Sequence, residues 1–273
     1  MCKQNRSLDK MELTIVKVGG KVVEEEASLS SLLDDFAELR GNKALVHGGG
    51  RSATKLSERL GIEAHMVEGR RITDAETLKV VTMVYAGLVN KNIVAQLQKR
   101  GVNAMGFTGA DLGVIRSDKR APKTMSDGQV VDFGFVGDVR EVETGVLSSL
   151  IGQGVVPVMS PITHDGQGHL LNTNADTIAS ELARAMAQQA GANVRLVYCF
   201  EKAGVLLDAE DDSTLIKELD YATFKEHQKT GVVAAGMIPK LDNGFEALRR
   251  GVGSVVITNV EGLRTGLGTT LKL

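Results

Sequence analysis

Cysteine is almost missing. Cys2 and Cys199 are the 2 cysteines in 273 residues, which excludes a disulfide scaffold and any thiolate cluster around a structural metal. Cys199 sits in the apolar run 196–200 and reads as a buried, inert thiol. Tryptophan is absent and proline is scarce, at 4 residues. No linker, repeat or low-complexity block interrupts the chain. An excess of charge is missing too: 32 Lys and Arg stand against 34 Asp and Glu, a formal net charge of −2. A generic nucleic-acid or anionic-membrane binder is more basic than this. No apolar run approaches the ~20 residues that span a bilayer. The N-terminus, MCKQNRSLDK, is polar and lacks a secretory apolar core. The expectation is a cytoplasmic protein with no nucleic-acid or membrane partner. Residues 1–10 read as a loose extension, with Met11 a candidate natural start.

Glycine is what the chain has in excess: 31 residues, about 11% against a usual ~7%. The glycines cluster at turns between alternating strand-like and helical stretches. Strands are expected over 13–18, 44–46, 155–159, 194–200 and 255–258. Helices are expected over 28–40, 51–60, 74–100, 145–152, 174–190 and 239–250. Between them, 104–107, 113–117 and 130–142 read as short strands of a small antiparallel patch, and 269–273 as an edge strand. This alternation predicts an α/β fold, a three-layer αβα sandwich on a mainly parallel open sheet with a small antiparallel hairpin patch. The chain is expected to be one domain, 1–273, with a soft division into lobes at about 11–165 and 166–273.

In such sheets ligands sit beyond the carboxyl ends of the strands, where the unusual turns fall. His47-Gly48-Gly49-Gly50 joins a strand to a helix; its backbone N–H groups and the helix N-terminus suit an anion. Two rival readings exist. The lipase-like oxyanion motif also needs a Gly-x-Ser-x-Gly elbow, which this sequence lacks. The dinucleotide fingerprint is matched by Gly48, Gly50 and Ala53, with Glu68 about 20 residues on, but on the second strand-to-helix turn rather than the first. The first turn is Lys17-Val18-Gly19-Gly20-Lys21, which is not a Walker A loop because Ile15 stands where glycine is needed. An inward lysine in an apolar strand is costly without a partner, which marks Lys17 as functional. Lys240, in Gly236-Met237-Ile238-Pro239-Lys240, opposes the dipole of the helix it opens and so implies a nearby anion. Asn172-Thr173-Asn174-Ala175-Asp176 opens another helix and fits both plain capping and a ligand site. Glu68-Gly69-Arg70-Arg71 carries an arginine pair suited to bidentate carboxylate binding. The 5 histidines show no metal-ligand spacing, and no metal site is expected.

KVGGK at 17–21, HGGG at 47–50, EGRRIT at 68–73, LNTNAD at 171–176 and GMIPK at 236–240 appear in one order and spacing. Together they resemble the amino acid kinase family, and within it the members that phosphorylate an N-acylglutamate in arginine biosynthesis. The resemblance runs from about residue 13 to 273. It implies that Lys17 and Lys240 stabilise the transferring phosphoryl group and that Asp176 orients them. It implies that Gly48, Gly49, Arg71 and Asn172, with Asn174, bind the acylated amino acid, mainly in the first lobe. Gly19, Gly20, Glu201, Gly204, Val232 and Gly236 would border the nucleotide, mainly in the second. The implied substrates are ATP, with Mg²⁺ on its phosphates, and an N-acyl-L-glutamate, acetyl by default and succinyl possible. The chain departs from the family at Phe200-Glu201, where Thr-Asp is usual.

The physics of such a reaction fits these residues. A γ-carboxylate, with a pKa of about 4.3, is already ionised at neutral pH and needs no general base. The obstacle is repulsion between two anions, which lysines and backbone N–H groups relieve. Rival functions are a related kinase for another small acid or a nucleoside monophosphate, a dinucleotide-dependent oxidoreductase, and a non-catalytic sensor. The resemblance further implies a homodimer. Arginine-inhibited members carry a long N-terminal helix, whereas the short polar segment before residue 13 is marginal as an isolated helix. Insensitivity to arginine is therefore expected.

Overall fold

A computed structural model describes residues 11–67, 70–125, 128–208, 210–233 and 236–273. The expected loose extension at 1–10, Glu68 and Gly69 of the arginine turn, and Ala234 and Ala235 of the 232–236 turn lie outside the described residues.

An eight-stranded sheet carries the molecule. From one edge its order is Glu218–Asp220, Thr269–Lys272, Ser254–Thr258, Asn193–Cys199, Glu12–Val18, Asn42–His47, Val156–Met159 and Ala104–Phe107. Every neighbouring pair is parallel except Ser254–Thr258 against Thr269–Lys272. Helices cover both faces, and the period-2 pleat decides which side chains meet which layer. Leu13 and Ile15 join Ala44 and Val46 in the core beneath the helices Ala175–Gln188 and Ile238–Arg249. Val16, Val18 and Leu45 face the other way, into the core with Glu26–Glu38 and the Ala75–Lys99 stretch. By the same parity Lys17 faces the first layer and His47 the second.

The Ala75–Lys99 stretch begins at Asp74, whose side chain accepts a hydrogen bond from Thr77 N at 2.7 Å. It is α-helical over Ala75–Thr82 and Asn90–Lys99, with a π-helical segment, Met83–Val89, between them. Contrary to the sequence expectation, these 25 residues are apolar enough, by length and composition alone, to cross a membrane. The apolarity has a use in the fold: Val80, Val81, Val84, Ile93 and Leu97 are buried in the core.

Three expectations need correction. Residues 104–107 do not belong to the antiparallel patch; they form the far edge of the main sheet, parallel to Val156–Met159. The patch is instead a four-stranded sheet in the order Leu170–Asn172, Ile162–His164, Ile115–Lys119, Gly137–Val142. The expected strand 130–142 is broken, with Val130–Val131 pairing with Lys123–Thr124 in a separate hairpin. Thr269–Lys272 is not an edge strand, because Glu218–Asp220 adds outside it. Strands of two to four residues carry too little pattern to show which neighbour they pair with.

Helix Glu26–Glu38 lacks a glycine cap and ends on a buried lysine. Lys43 Nζ, on the next strand, donates to the carbonyls of Phe36, Ala37 and Leu39 at 3.0, 2.6 and 2.9 Å. Phe36 O also takes the cap N–H of Leu39 at 3.3 Å, but carbonyls at a helix end lack their usual N–H partner from the following turn. Lys43→Met keeps the stem but strands the acceptors, and is expected to cost about 1–3 kcal/mol. Chemical denaturation checks this; an unchanged midpoint would show that water replaces the ammonium.

Candidate active site

Each candidate side chain arrives on a different element, and the sheet brings them together. Lys17 leaves the Glu12–Val18 strand one residue before its end, on the face covered by helix Ala175–Gln188. Asp176 is in the first turn of that helix. Lys240 is in the first turn of Ile238–Arg249, just after Pro239. Lys17 Nζ lies 2.6 Å from Asp176 Oδ1, and Lys240 Nζ lies 3.4 Å from Asp176 Oδ2. The carboxylate thus sits between two ammonium groups, one at each oxygen. Lys17 is 6% exposed and Asp176 8%. Burial alone would raise the Asp176 carboxyl, but the charges and hydrogen bonds of Lys17 and Lys240 outweigh it and hold the group below its usual value. Tyr198, register partner of Lys17 on the adjacent strand, donates its hydroxyl to the Asp176 backbone carbonyl at 3.3 Å. Sequence reasoning missed Tyr198; its place in an apolar strand looks like ordinary core.

A cavity of about 480 Å³ opens beside the lysines. Gly19, Gly20, Glu201, Gly204, Val232 and Gly236 all border it. Gly19 N–H is bonded to Cys199 O at 2.8 Å, which ties the first turn to the 199–201 turn. Phe200, Val205, Leu206 and Val233 make the apolar part of the wall. Phe200 of the family departure is therefore part of that wall. The Cys199 thiol is buried and pushed up to about 12 by that burial, as an inert thiol should be.

Arg71 and Asn172 belong to a second cluster. Arg71 is 9% exposed, whereas Arg70 is exposed, which separates the two members of the pair. Arg71 Nη2 donates to Gly50 O at 3.0 Å and to Thr54 Oγ1 at 2.8 Å. Its Nη1 is sealed from solvent with no hydrogen-bond partner among the described residues, an arrangement that costs free energy until an acceptor arrives. Asn172 Nδ2 donates to Thr73 Oγ1 at 3.0 Å, and Thr73 Oγ1 reaches Arg71 O at 3.5 Å. Arg71, Asn172 and the end of the glycine turn therefore form one network. Asn174 is exposed, and its Oδ1 caps the helix by accepting from Thr177 N at 3.0 Å. Gly49 precedes helix Gly50–Arg59, and a Cβ on it would lie 2.9 Å from Tyr85 Cδ1. Gly48 has room for a Cβ at ordinary contact distances.

Among the described residues no group of three or more His, Cys, Asp or Glu is placed to hold a metal ion. A buried carboxylate flanked by two lysines at the carboxyl ends of parallel strands, beside an open cavity, is a centre for handling anions.

Residues 12–259 match the amino acid kinase family, and the chain belongs to that family. It is 61% identical to an acetylglutamate kinase of Bacteroides fragilis over 263 residues, covering 96% of this chain and 98% of the relative. It is 54% identical to an acetylglutamate kinase of Cytophaga hutchinsonii over 252 residues, covering 92% of this chain and 93% of the relative. A Giardia carbamate kinase structure shares the fold at 13% identity, with a TM-score of 0.66 over 96% of this chain and 98% of that one.

Proposed function

We infer that this protein catalyses the ATP-dependent phosphorylation of the γ-carboxylate of an N-acyl-L-glutamate, acetyl by default, in arginine biosynthesis. The observation that carries the reading is the Lys17–Asp176–Lys240 triad at the cavity, in a chain 61% identical to an acetylglutamate kinase. Steady-state kinase assays with N-acetylglutamate, N-succinylglutamate and free glutamate test it. Fast ADP release is expected with an acylated acid. Turnover confined to free glutamate or to a nucleoside monophosphate would overturn it. Saturable binding of a nicotinamide nucleotide would favour the oxidoreductase instead.

The roles follow from electrostatics. Asp176 keeps both ammonium groups charged and in place, so Lys17 and Lys240 can face the transferring phosphoryl group without reorganising. Gly48 and Gly49 supply close backbone approach to the reacting groups. Arg71, through its Nη1, takes a carboxylate of the acid, and Asn172 and Asn174 are assigned to the same substrate. Gly19, Gly20, Glu201, Gly204, Val232 and Gly236 border ATP in the cavity. On this reading the lobe at about 11–165 binds the acid and that at about 166–273 the nucleotide. Asp176 is engaged by two lysines, so the side chains here do not fit a protein-held Mg²⁺. The ion belongs with the ATP phosphates as part of the substrate.

Arg71→Lys keeps the charge but loses the planar fork. It is expected to raise KM for the acylglutamate roughly tenfold, about 1.4 kcal/mol, with KM for ATP little changed. Equal changes in both would move carboxylate recognition elsewhere.

The reading includes a cytoplasmic homodimer that arginine does not inhibit. Sizing with light scattering, and turnover at millimolar arginine, check this. A hexamer or clear inhibition would contradict it while leaving the kinase assignment intact.

A further inference from the structure

His47 is the first residue of the glycine turn and is wholly buried, at 0% exposure. A buried imidazole at a ligand-binding turn needs a reason, because both ring nitrogens must find partners away from water. His47 Nδ1 lies 2.8 Å from Gly48 O. His47 Nε2 lies 3.1 Å from Asn90 Nδ2, and Asn90 Nδ2 also donates to Val158 O at 2.9 Å. A carbonyl oxygen and an amide NH₂ assign the ring: Nδ1 must carry the proton and donate to Gly48 O, while Nε2 accepts from Asn90. Asn90 is itself 1% exposed and stands where the π-helical Met83–Val89 segment returns to α-helix.

The consequence lies in the peptide plane. In a trans peptide the C=O of one residue and the N–H of the next point in opposite directions. With Gly48 C=O turned inward to the ring, Gly49 N–H is turned away from it. Gly49 N–H has no hydrogen-bond partner among the described residues, and Gly49 directly precedes helix Gly50–Arg59. We propose that His47 and Asn90 are positioning residues that lock the Gly48–Gly49 peptide so that its N–H is presented to the anionic reactants. The inference rests on the kinase reading for the identity of those reactants.

Flipping this peptide would bury an unpaired N–H against the ring and present a carbonyl oxygen to an anion, so both sides of the plane favour one orientation. The Tyr85 ring, from the π-helical segment, leaves no room for a Cβ on Gly49 and so keeps this position a glycine. Burial also holds the imidazole at about 4, below its usual value, so the ring is neutral across physiological pH and the hydrogen-bond assignment does not switch.

Two substitutions separate the ring's two contacts. The amide of asparagine occupies the place of Nδ1, and that of glutamine the place of Nε2. His47→Asn can still donate to Gly48 O; His47→Gln can still meet Asn90 but leaves Gly48 O free. His47→Gln leaves the donor in place but unlocked, so it is expected to lower kcat by on the order of tenfold to a hundredfold, less than the ~10²–10³ that outright removal of an oriented donor costs, with KM for ATP within about twofold. His47→Asn should recover most of that loss. Equal kcat values for the two folded variants, or a loss confined to KM for ATP, would overturn the proposal. A second measurement needs neither variant to be active. Long-range ¹H–¹⁵N spectra of the wild-type protein near neutral pH should show His47 neutral with the proton on Nδ1. A proton on Nε2, or a charged ring, would overturn the peptide lock even in an active enzyme. If the wild type phosphorylates no acylglutamate, the kinase reading fails, while the tautomer still decides the lock.

Discussion

Lys17→Ala and Lys240→Ala are each expected to lower kcat by on the order of 10²-fold or more, as removal of a single oriented transition-state donor does. That is about 2.7 kcal/mol of transition-state stabilisation per lysine. The reason is specific to a carboxylate acceptor. No proton has to be removed from it at neutral pH, so the protein's main task is to offset repulsion between two anions. The two lysines approach from opposite sides of Asp176, at 2.6 and 3.4 Å, and so are distinct cations with little redundancy. Stability should separate them. Lys17 has 8% side-chain exposure and Lys240 has 21%, so losing Lys17 leaves the more deeply buried gap and the lower melting temperature. Kinetics and melting curves of both variants check this. Near wild-type turnover in either would remove that lysine from the mechanism.

Asp176→Asn is expected to fall as far in kcat and further in stability. The amide preserves shape but leaves two ammonium groups close together with no counter-charge, one of them buried. Orphaning a buried charge costs about 3–5 kcal/mol, and the partial exposure of Lys240 argues for the lower end. The effect has a pH signature. Asp176 is more acidic in the fold than its ordinary value of 3.8, so the folded state binds its proton less readily than the unfolded chain does. The stability contributed by the ionised carboxylate is therefore complete above pH 3.8 and is lost as pH falls through the lower folded value. Denaturation midpoints of wild type and Asp176→Asn should differ most near neutrality and converge in acid. A gap of constant size down to pH 3 would show that charge pairing is not what Asp176 contributes.

Much of the candidate site is legible in the sequence, because its chemistry is concentrated in short turns. Lys17, the glycines at 47–50, Asp176 and Lys240 all stand out locally. Each is a residue in a position that ordinary strand or helix formation does not favour, or a backbone freedom that a plain turn does not need. The ends of the expected helices fall close to those found, as with 174–190 against Ala175–Gln188 and 239–250 against Ile238–Arg249.

The sequence by itself determined the strand–helix alternation, the turns that hold the candidate chemistry, and the cations and carboxylate available to it. Tertiary structure alone decided how they combine. Asp176 could have been a helix-dipole residue; only the layer over Leu13 and Ile15 puts it between Lys17 and Lys240, from two other elements. Arg70 and Arg71 are alike in sequence, and burial separates them. The strand Ala104–Phe107 reads from sequence as part of the antiparallel patch, and only its pairing with Val156–Met159 puts it in the main sheet. His47 and Asn90, 43 residues apart, give no local sign of meeting. The physical reason is common to all of these: propensity, capping and periodicity act within a few residues. Ion pairs, sealed polar atoms and strand neighbours are set by packing between segments far apart in the chain.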